Sequence, residues 1–244
     1  MEIRSEYVTL GVSDGTEMRA WTARPAAGKT HPGLMVFQEA FGVNAHIRDV
    51  TERFAREGYV AIAPELFHRT AAGFEARYDD FPSTVPHMRA LKDDQTAADS
   101  RAAYDWLRES VGDKAAIAAT GYCMGGRAAF LAGLTLPLAC GASYYGGGIA
   151  PNPGNPGLLA RAAELRCPML FFWGGLDKHI TREHSRAVND TLTAEGKKFV
   201  DVEISDADHG FFCDARASYN PTAAALVWPW TLAFLKTHGT QTLL

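Results

Sequence analysis

The six residues Gly121-Tyr122-Cys123-Met124-Gly125-Gly126 constrain the fold of this 244-residue chain more than any other segment. They follow an apolar run at residues 115–119 and open a helical pattern. They therefore read as a strand that breaks sharply into a helix, with a nucleophile on the bend. The serine version of such an elbow is G-x-S-x-G, and here the central residue is Cys123. Small residues two before and two after the nucleophile are a steric requirement of so tight a turn. A Cβ at Gly121 or Gly125 would collide with neighbouring backbone.

Apolar runs and helical patterns alternate along almost the whole chain, the signature of a parallel sheet covered by helices. Residues 7–12 and 17–24, separated by Ser13-Asp14-Gly15, predict an opening antiparallel hairpin. Further strands are expected at 32–37, 59–63, 115–119, 140–145, 168–173 and 198–205. Helices are expected at 46–57, 94–111, 125–134, near 182–195 and at 222–236, where Pro229 should kink or break the last. Residues 66–93 read as irregular, in the manner of a lid or binding loop. Eight strands, no repeats and no linker point to an α/β architecture: one domain spanning 1–244, a mostly parallel eight-stranded sheet with helices on both faces.

The net charge of −4, with no block of lysine or arginine, gives no reason to expect a nucleic-acid or membrane-surface partner. The first residues lack a basic stretch followed by an apolar one, and the apolar segment 223–235 is shorter than a membrane-spanning helix. A cytoplasmic location is the expectation. None of Cys123, Cys140, Cys167 and Cys213 forms a C-x-x-C pair, so free thiols are expected. Cys140 and Cys167 lie beside apolar strands and read as buried small hydrophobes. Cys213 reads as structural, with pocket lining left open by its nearness to His209.

A cysteine on the bend sits at a helix N-terminus, where the macrodipole and free N–H groups favour the thiolate. Downstream lie Asp177, in Trp173-Gly174-Gly175-Leu176-Asp177, and His209, in Asp206-Ala207-Asp208-His209-Gly210-Phe211. Nucleophile, acid, then histidine is the chain order of α/β-hydrolases. His209 would exchange the proton with Cys123, and Asp177 would orient the imidazole. Asp206 and Asp208 are rivals to Asp177, but both are too close in sequence to reach the far nitrogen of His209 easily. The oxyanion hole would use the N–H of Met124 and a second donor at Ala40 or Phe41, each worth about 3 kcal/mol of barrier. The other histidines, His31, His46, His68, His87, His179, His184 and His238, lie in loops or on polar helical faces. None shows metal-ligand spacing, so they are expected to be solvated, and no metal or organic cofactor is indicated.

The chain resembles the dienelactone hydrolase (carboxymethylenebutenolidase) family, a cysteine-dependent branch of the α/β-hydrolases. The resemblance rests on Gln38-Glu39-Ala40-Phe41-Gly42-Val43-Asn44, Gly58-Tyr59-Val60-Ala61, Pro64-Glu65-Leu66, the Cys123 elbow and His209-Gly210-Phe211. It implies the α/β-hydrolase fold and the opening of a butenolide ring to maleylacetate, by acyl transfer to cysteine and then hydrolysis. It implies that Glu39 contacts the thiol, moves on substrate binding and helps to deprotonate it. A carboxylate beside a thiol disfavours the thiolate and guards an idle nucleophile. In that family two arginines hold the substrate carboxylate, one of them four residues after the histidine. That position is Cys213 here, and Arg216 follows three residues later. Arg69, Arg77 and Arg89 are candidates for the other. Phe41, Tyr78, Arg77, Tyr145 and Phe211 are the expected substrate contacts. A general carboxylesterase or thioesterase, and an idle ligand-binding member, are the alternative readings. The partner is a small ester or lactone, and the chain a monomer or homodimer.

Overall fold

A computed structural model of the chain describes residues 1–28 and 31–239. The strands are β1 (Ile3–Gly11), β2 (Glu17–Pro25), β3 (Gly33–Phe37), β4 (Val60–Pro64), β5 (Ile117–Tyr122), β6 (Gly141–Tyr144), β7 (Met169–Gly174) and β8 (Phe199–Ile204). They form one eight-stranded sheet in the order β1-β2-β4-β3-β5-β6-β7-β8. The first two pairings, β1 with β2 and β2 with β4, are antiparallel. All others are parallel. Strands β3 to β7 are buried at every residue, which is why they read as continuous apolar runs. The edge strand β8 has no fully buried position and mixes partly buried with exposed ones. Phe37, Phe171 and Phe172 are fully buried on this sheet, each contributing about 1.5–3 kcal/mol relative to exposure.

The helices are α1 (Ala45–Arg56), α2 (Phe81–Ala90), α3 (Asp93–Val111), α4 (Met124–Thr135), α5 (Arg182–Ala194) and α6 (Pro221–Gly239). Helix α1 begins where the Asn44 side chain accepts a hydrogen bond from the Ile47 N–H at 3.2 Å. It buries Ile47, Val50 and Phe54 against the sheet, as their spacing requires.

Three expectations need correction. Helix α2 lies inside the stretch read as irregular. Its prolines hide it, yet one sits in the first turn, where no N–H is needed, and Asp80 caps it. Helix α6 runs unbroken through Pro229. His46 and His68 are buried rather than solvated.

No helix among the described residues is long and apolar enough to cross a membrane.

Candidate active site

Strand β5 ends at Tyr122 and helix α4 starts at Met124, so Cys123 alone makes the bend. Its backbone pays for this with φ 56° and ψ −121°, a left-handed conformation that costs a non-glycine residue about 1–3 kcal/mol. The flanking glycines are required by close approach. A Cβ on Gly121 would lie 1.9 Å from the Gly125 carbonyl oxygen, and one on Gly125 2.4 Å from that of Phe37. Backbone is the obstacle in both cases, so relief means moving the elbow. Gly121→Ala should therefore cost about 3 kcal/mol or more, seen as a lower urea midpoint together with lost activity. An unchanged midpoint would contradict the steric account.

Asp177 follows β7, and His209 follows β8. The His209 Nδ1 and Asp177 Oδ2 are 2.8 Å apart. The other oxygen, Oδ1, accepts the backbone N–H groups of His179 at 2.7 Å and Ile180 at 2.9 Å. Those bonds fix the carboxylate, whose side chain is 1 % exposed. Burial alone would raise the Asp177 carboxyl, but His209 and the two N–H groups outweigh it and hold it below the ordinary range. For His209, burial opposes the charged imidazolium. The Cys123 thiolate, the bond to Asp177 and a hydrogen bond with Cys123 prevail, and its pKa is pushed up to about 10. Neither Asp206 nor Asp208 takes the place of Asp177. The Asp208 carboxylate instead accepts the His209 backbone N–H at 2.6 Å.

A cavity of about 490 Å³ opens over Cys123 and His209, walled by Ala40, Phe41, Tyr78, Met124 and Arg216. The expected oxyanion donors thus belong to residues of the same cavity as the thiol. Arg216 arrives through two successive turns, Cys213 N–H to Gly210 C=O at 3.0 Å and Arg216 N–H to Cys213 C=O at 3.1 Å. These carry an arginine seven residues after the histidine back over the site. Sequence spacing missed it because the turns shorten the path. His179, His184, Phe81 and Met88 also line this cavity and were not foreseen. Phe81 and Met88 belong to the overlooked α2.

Glu39 is fully buried, yet its partners differ from the expected one. Arg216 donates to Oε1 at 3.0 Å and the Tyr78 hydroxyl donates to Oε2 at 2.9 Å. A guanidinium and a phenol, rather than the thiol, hold this carboxylate. Charge-assisted bonds of that kind are the stronger ones. Tyr78 also packs on Phe41, ring centroids 4.5 Å apart.

Other expected contacts lie elsewhere. Arg77 is 84 % exposed and paired with Asp79, so its charge is already satisfied in solvent away from the cavity. Arg69 is clamped by Asp99 and Asp14. Arg89 lines an adjoining hollow with Met88 and Met124. Tyr145 and Phe211 are fully buried behind the site, with the Tyr145 ring 5.1 Å from His209 and 5.3 Å from Phe211. They support the imidazole from behind and do not wall the cavity.

All four cysteines are free. Burial pushes Cys140 and Cys167 upward, Cys167 to about 12, and pushes Cys213 up to about 12 as well. All three are therefore poor nucleophiles at neutral pH. Among the described residues, one group could hold a metal ion: Glu39, His46 and Cys213 each offer a ligand atom within 4.8 Å of the others.

The profile of the dienelactone hydrolase family matches residues 18–239. A Synechocystis protein named "Putative carboxymethylenebutenolidase" is 36 % identical over 238 residues, covering 93 % of this chain and 94 % of that one. A protein of the same name from Escherichia coli K12 is 35 % identical, covering 93 % and 85 %. The Klebsiella pneumoniae crystal structure of a "Putative Dienelactone Hydrolase" superposes with a TM-score of 0.88 at 30 % identity, covering 97 % of this chain and 99 % of that one. A dienelactone hydrolase-like promiscuous phosphotriesterase from metagenomic libraries shares the fold at 22 % identity, with a TM-score of 0.80 and coverage of 96 % and 98 %. The chain belongs to the dienelactone hydrolase family and is a hydrolytic enzyme on the α/β-hydrolase fold.

Proposed function

We propose that the chain hydrolyses a small lactone or activated ester carrying a carboxylate, through a thioester on Cys123. One observation carries this reading: His209, bonded through Nδ1 to Asp177, lines the same cavity as the Cys123 thiol and Arg216. The thiolate attacks the acyl carbon, forming the C–S bond. The carbonyl oxygen becomes an oxyanion facing the N–H groups of Met124 and Ala40. Collapse breaks the acyl C–O bond, and His209 gives its proton to the departing oxygen. A water, its proton taken by His209, then attacks the thioester and returns the thiol. No cofactor enters any step.

Arg216 is the arginine in the cavity wall. A substrate carboxylate that reaches it competes with Glu39 for the same guanidinium. With Arg216 drawn off Oε1, Glu39 is free to help His209 take the proton of the Cys123 thiol, which His209 then delivers to the leaving oxygen. Binding would thereby couple to activation, and an empty site would keep a quiet nucleophile. Dienelactone, opened to maleylacetate, has the required carboxylate beside the reacting lactone.

The discriminating experiment is steady-state hydrolysis of cis- and trans-dienelactone and of p-nitrophenyl acetate by wild type and Arg216→Ala. The expected outcome is a loss of about 10- to 100-fold in kcat/KM on dienelactone, from one charge-assisted contact. The loss on the uncharged ester should be much smaller. Equal losses on both would remove the carboxylate from the reading and leave a general carboxylesterase or thioesterase. No Cys123-dependent turnover of either would point to the idle, ligand-binding alternative.

A further inference from the structure

We propose that Glu39, His46 and Cys213 form a site for a thiophilic divalent cation, zinc in the first instance, behind the wall of the catalytic cavity. The three residues come from separate parts of the chain: the end of β3, the first turn of α1 and the loop after β8. One ligand atom of each lies within 4.8 Å of the other two. Glu39 and Cys213 are fully buried, and the His46 side chain is 3 % exposed.

His46 supplies an independent sign of a missing ligand. Its Nδ1 faces Asp214 Oδ1 at 3.5 Å, whereas its Nε2 is buried with no hydrogen-bond partner. A buried polar atom left bare costs about 1–3 kcal/mol. An imidazole that turns one nitrogen to a carboxylate and leaves the other free is the arrangement a metal-binding histidine takes. The neighbouring hydroxyls of Tyr122 and Tyr145 are also buried without partners. The Tyr122 ring centroid is 6.4 Å from those of both His46 and Tyr145. This wall is short of partners at three adjoining side chains.

The donor set suits the ion. Thiolate sulfur, imidazole nitrogen and carboxylate oxygen are the ligands of zinc, and together the thiolate and carboxylate balance its charge. Tetrahedral coordination would draw the donors together by about 1 Å from the upper limit of their present spacing. Arg216, 3.0 Å from Glu39, opposes added positive charge, so the expected affinity is micromolar rather than that of a closed structural zinc site. Occupancy would take Glu39 from Arg216 and Tyr78, linking the ion to the cavity through a single side chain. The site does not depend on Glu39 having a catalytic role.

The test uses metal-stripped Cys123→Ala protein, so that the elbow thiol cannot contribute a ligand. Zinc binding is measured by competition with a chromophoric chelator, and cobalt(II) is added as a spectroscopic substitute. Uptake of one zinc per chain at micromolar free metal is expected, with a near-ultraviolet sulfur-to-cobalt charge-transfer band. In the same background, Cys213→Ser should abolish that band, and His46→Gln should weaken zinc by tenfold or more. Asp214→Asn should weaken it by about tenfold through the orientation of His46. Circular dichroism and melting curves establish that each variant is folded. If Cys213→Ser unfolds, the His46→Gln and Asp214→Asn affinities decide the matter. No uptake in the parent protein would overturn the proposal. So would affinity and cobalt spectrum unchanged by the substitutions at 46, 213 and 214.

Discussion

Cys123→Ala should lower kcat on any ester or lactone by on the order of 10⁴- to 10⁶-fold, the scale seen when a hydrolase loses its nucleophile. The substitution is a clean one. Alanine at 123 carries the same left-handed backbone cost as cysteine, so the elbow and its glycine contacts stay as they are. What disappears is the atom that forms the acyl bond, while His209, Asp177 and the cavity remain. Residual turnover would come from bound water activated by His209, with help from the oxyanion donors. Steady-state assays, with mass spectrometry of wild type trapped on a slow ester, check both halves of the expectation. A mutant near wild-type activity, or an adduct on another residue, would sink the covalent mechanism.

Asp177→Asn should cost about 10⁴-fold in kcat with little change in the fold. The side-chain oxygen can keep accepting from His179 and Ile180, so the amide NH₂ is turned toward His209 Nδ1. That nitrogen must then accept, which places the imidazole proton on Nε2, so His209 can neither take the thiol proton nor activate the water. The pH dependence follows with a definite sign. In the wild type burial opposes the imidazolium, but Cys123 and Asp177 hold the His209 pKa up at about 10. Removing a partner that favours the charged form lowers that pKa. The basic limb of kcat/KM, where the imidazolium is lost, should move to lower pH in the variant. A basic limb at the same pH in both proteins would mean that Asp177 does not act on His209.

The parts legible in the sequence are those written over short stretches. The elbow could be read because its glycines, its nucleophile and its two flanking elements span few residues. The meeting of Asp177 with His209 could be read because each directly follows a strand, and strand order fixes where strand ends meet. The central strands were visible because burial on both faces leaves few polar positions, Thr120 and Ser143 among them, to blur the run. Helix α2 was not visible, since Pro82, which suits its first turn, and Pro86, inside it, both look like breakers in the sequence. Arg216 was hidden by the two turns that bring it back over the cavity. Arg77 illustrates the converse: an arginine in the right region, with an aspartate two residues away to satisfy it in solvent. The grouping of Glu39, His46 and Cys213 had no local signature at all, because it exists only once β3, α1 and the segment after β8 are folded together.

The proposed nucleophile and its proposed base enter the cavity from different parts of the sheet. Cys123 hangs from β5 in the middle, while His209 hangs from β8, a strand paired on one side only. Edge elements open locally at less cost than the core does. A molecule whose β8 margin has peeled away keeps its elbow but has lost its proton carrier. Under mild denaturant or warming, turnover should therefore fail before the far-ultraviolet helix signal changes. Catalysis in this architecture counts the molecules whose sheet is closed to its last strand, whereas optical signals count those that still have a core.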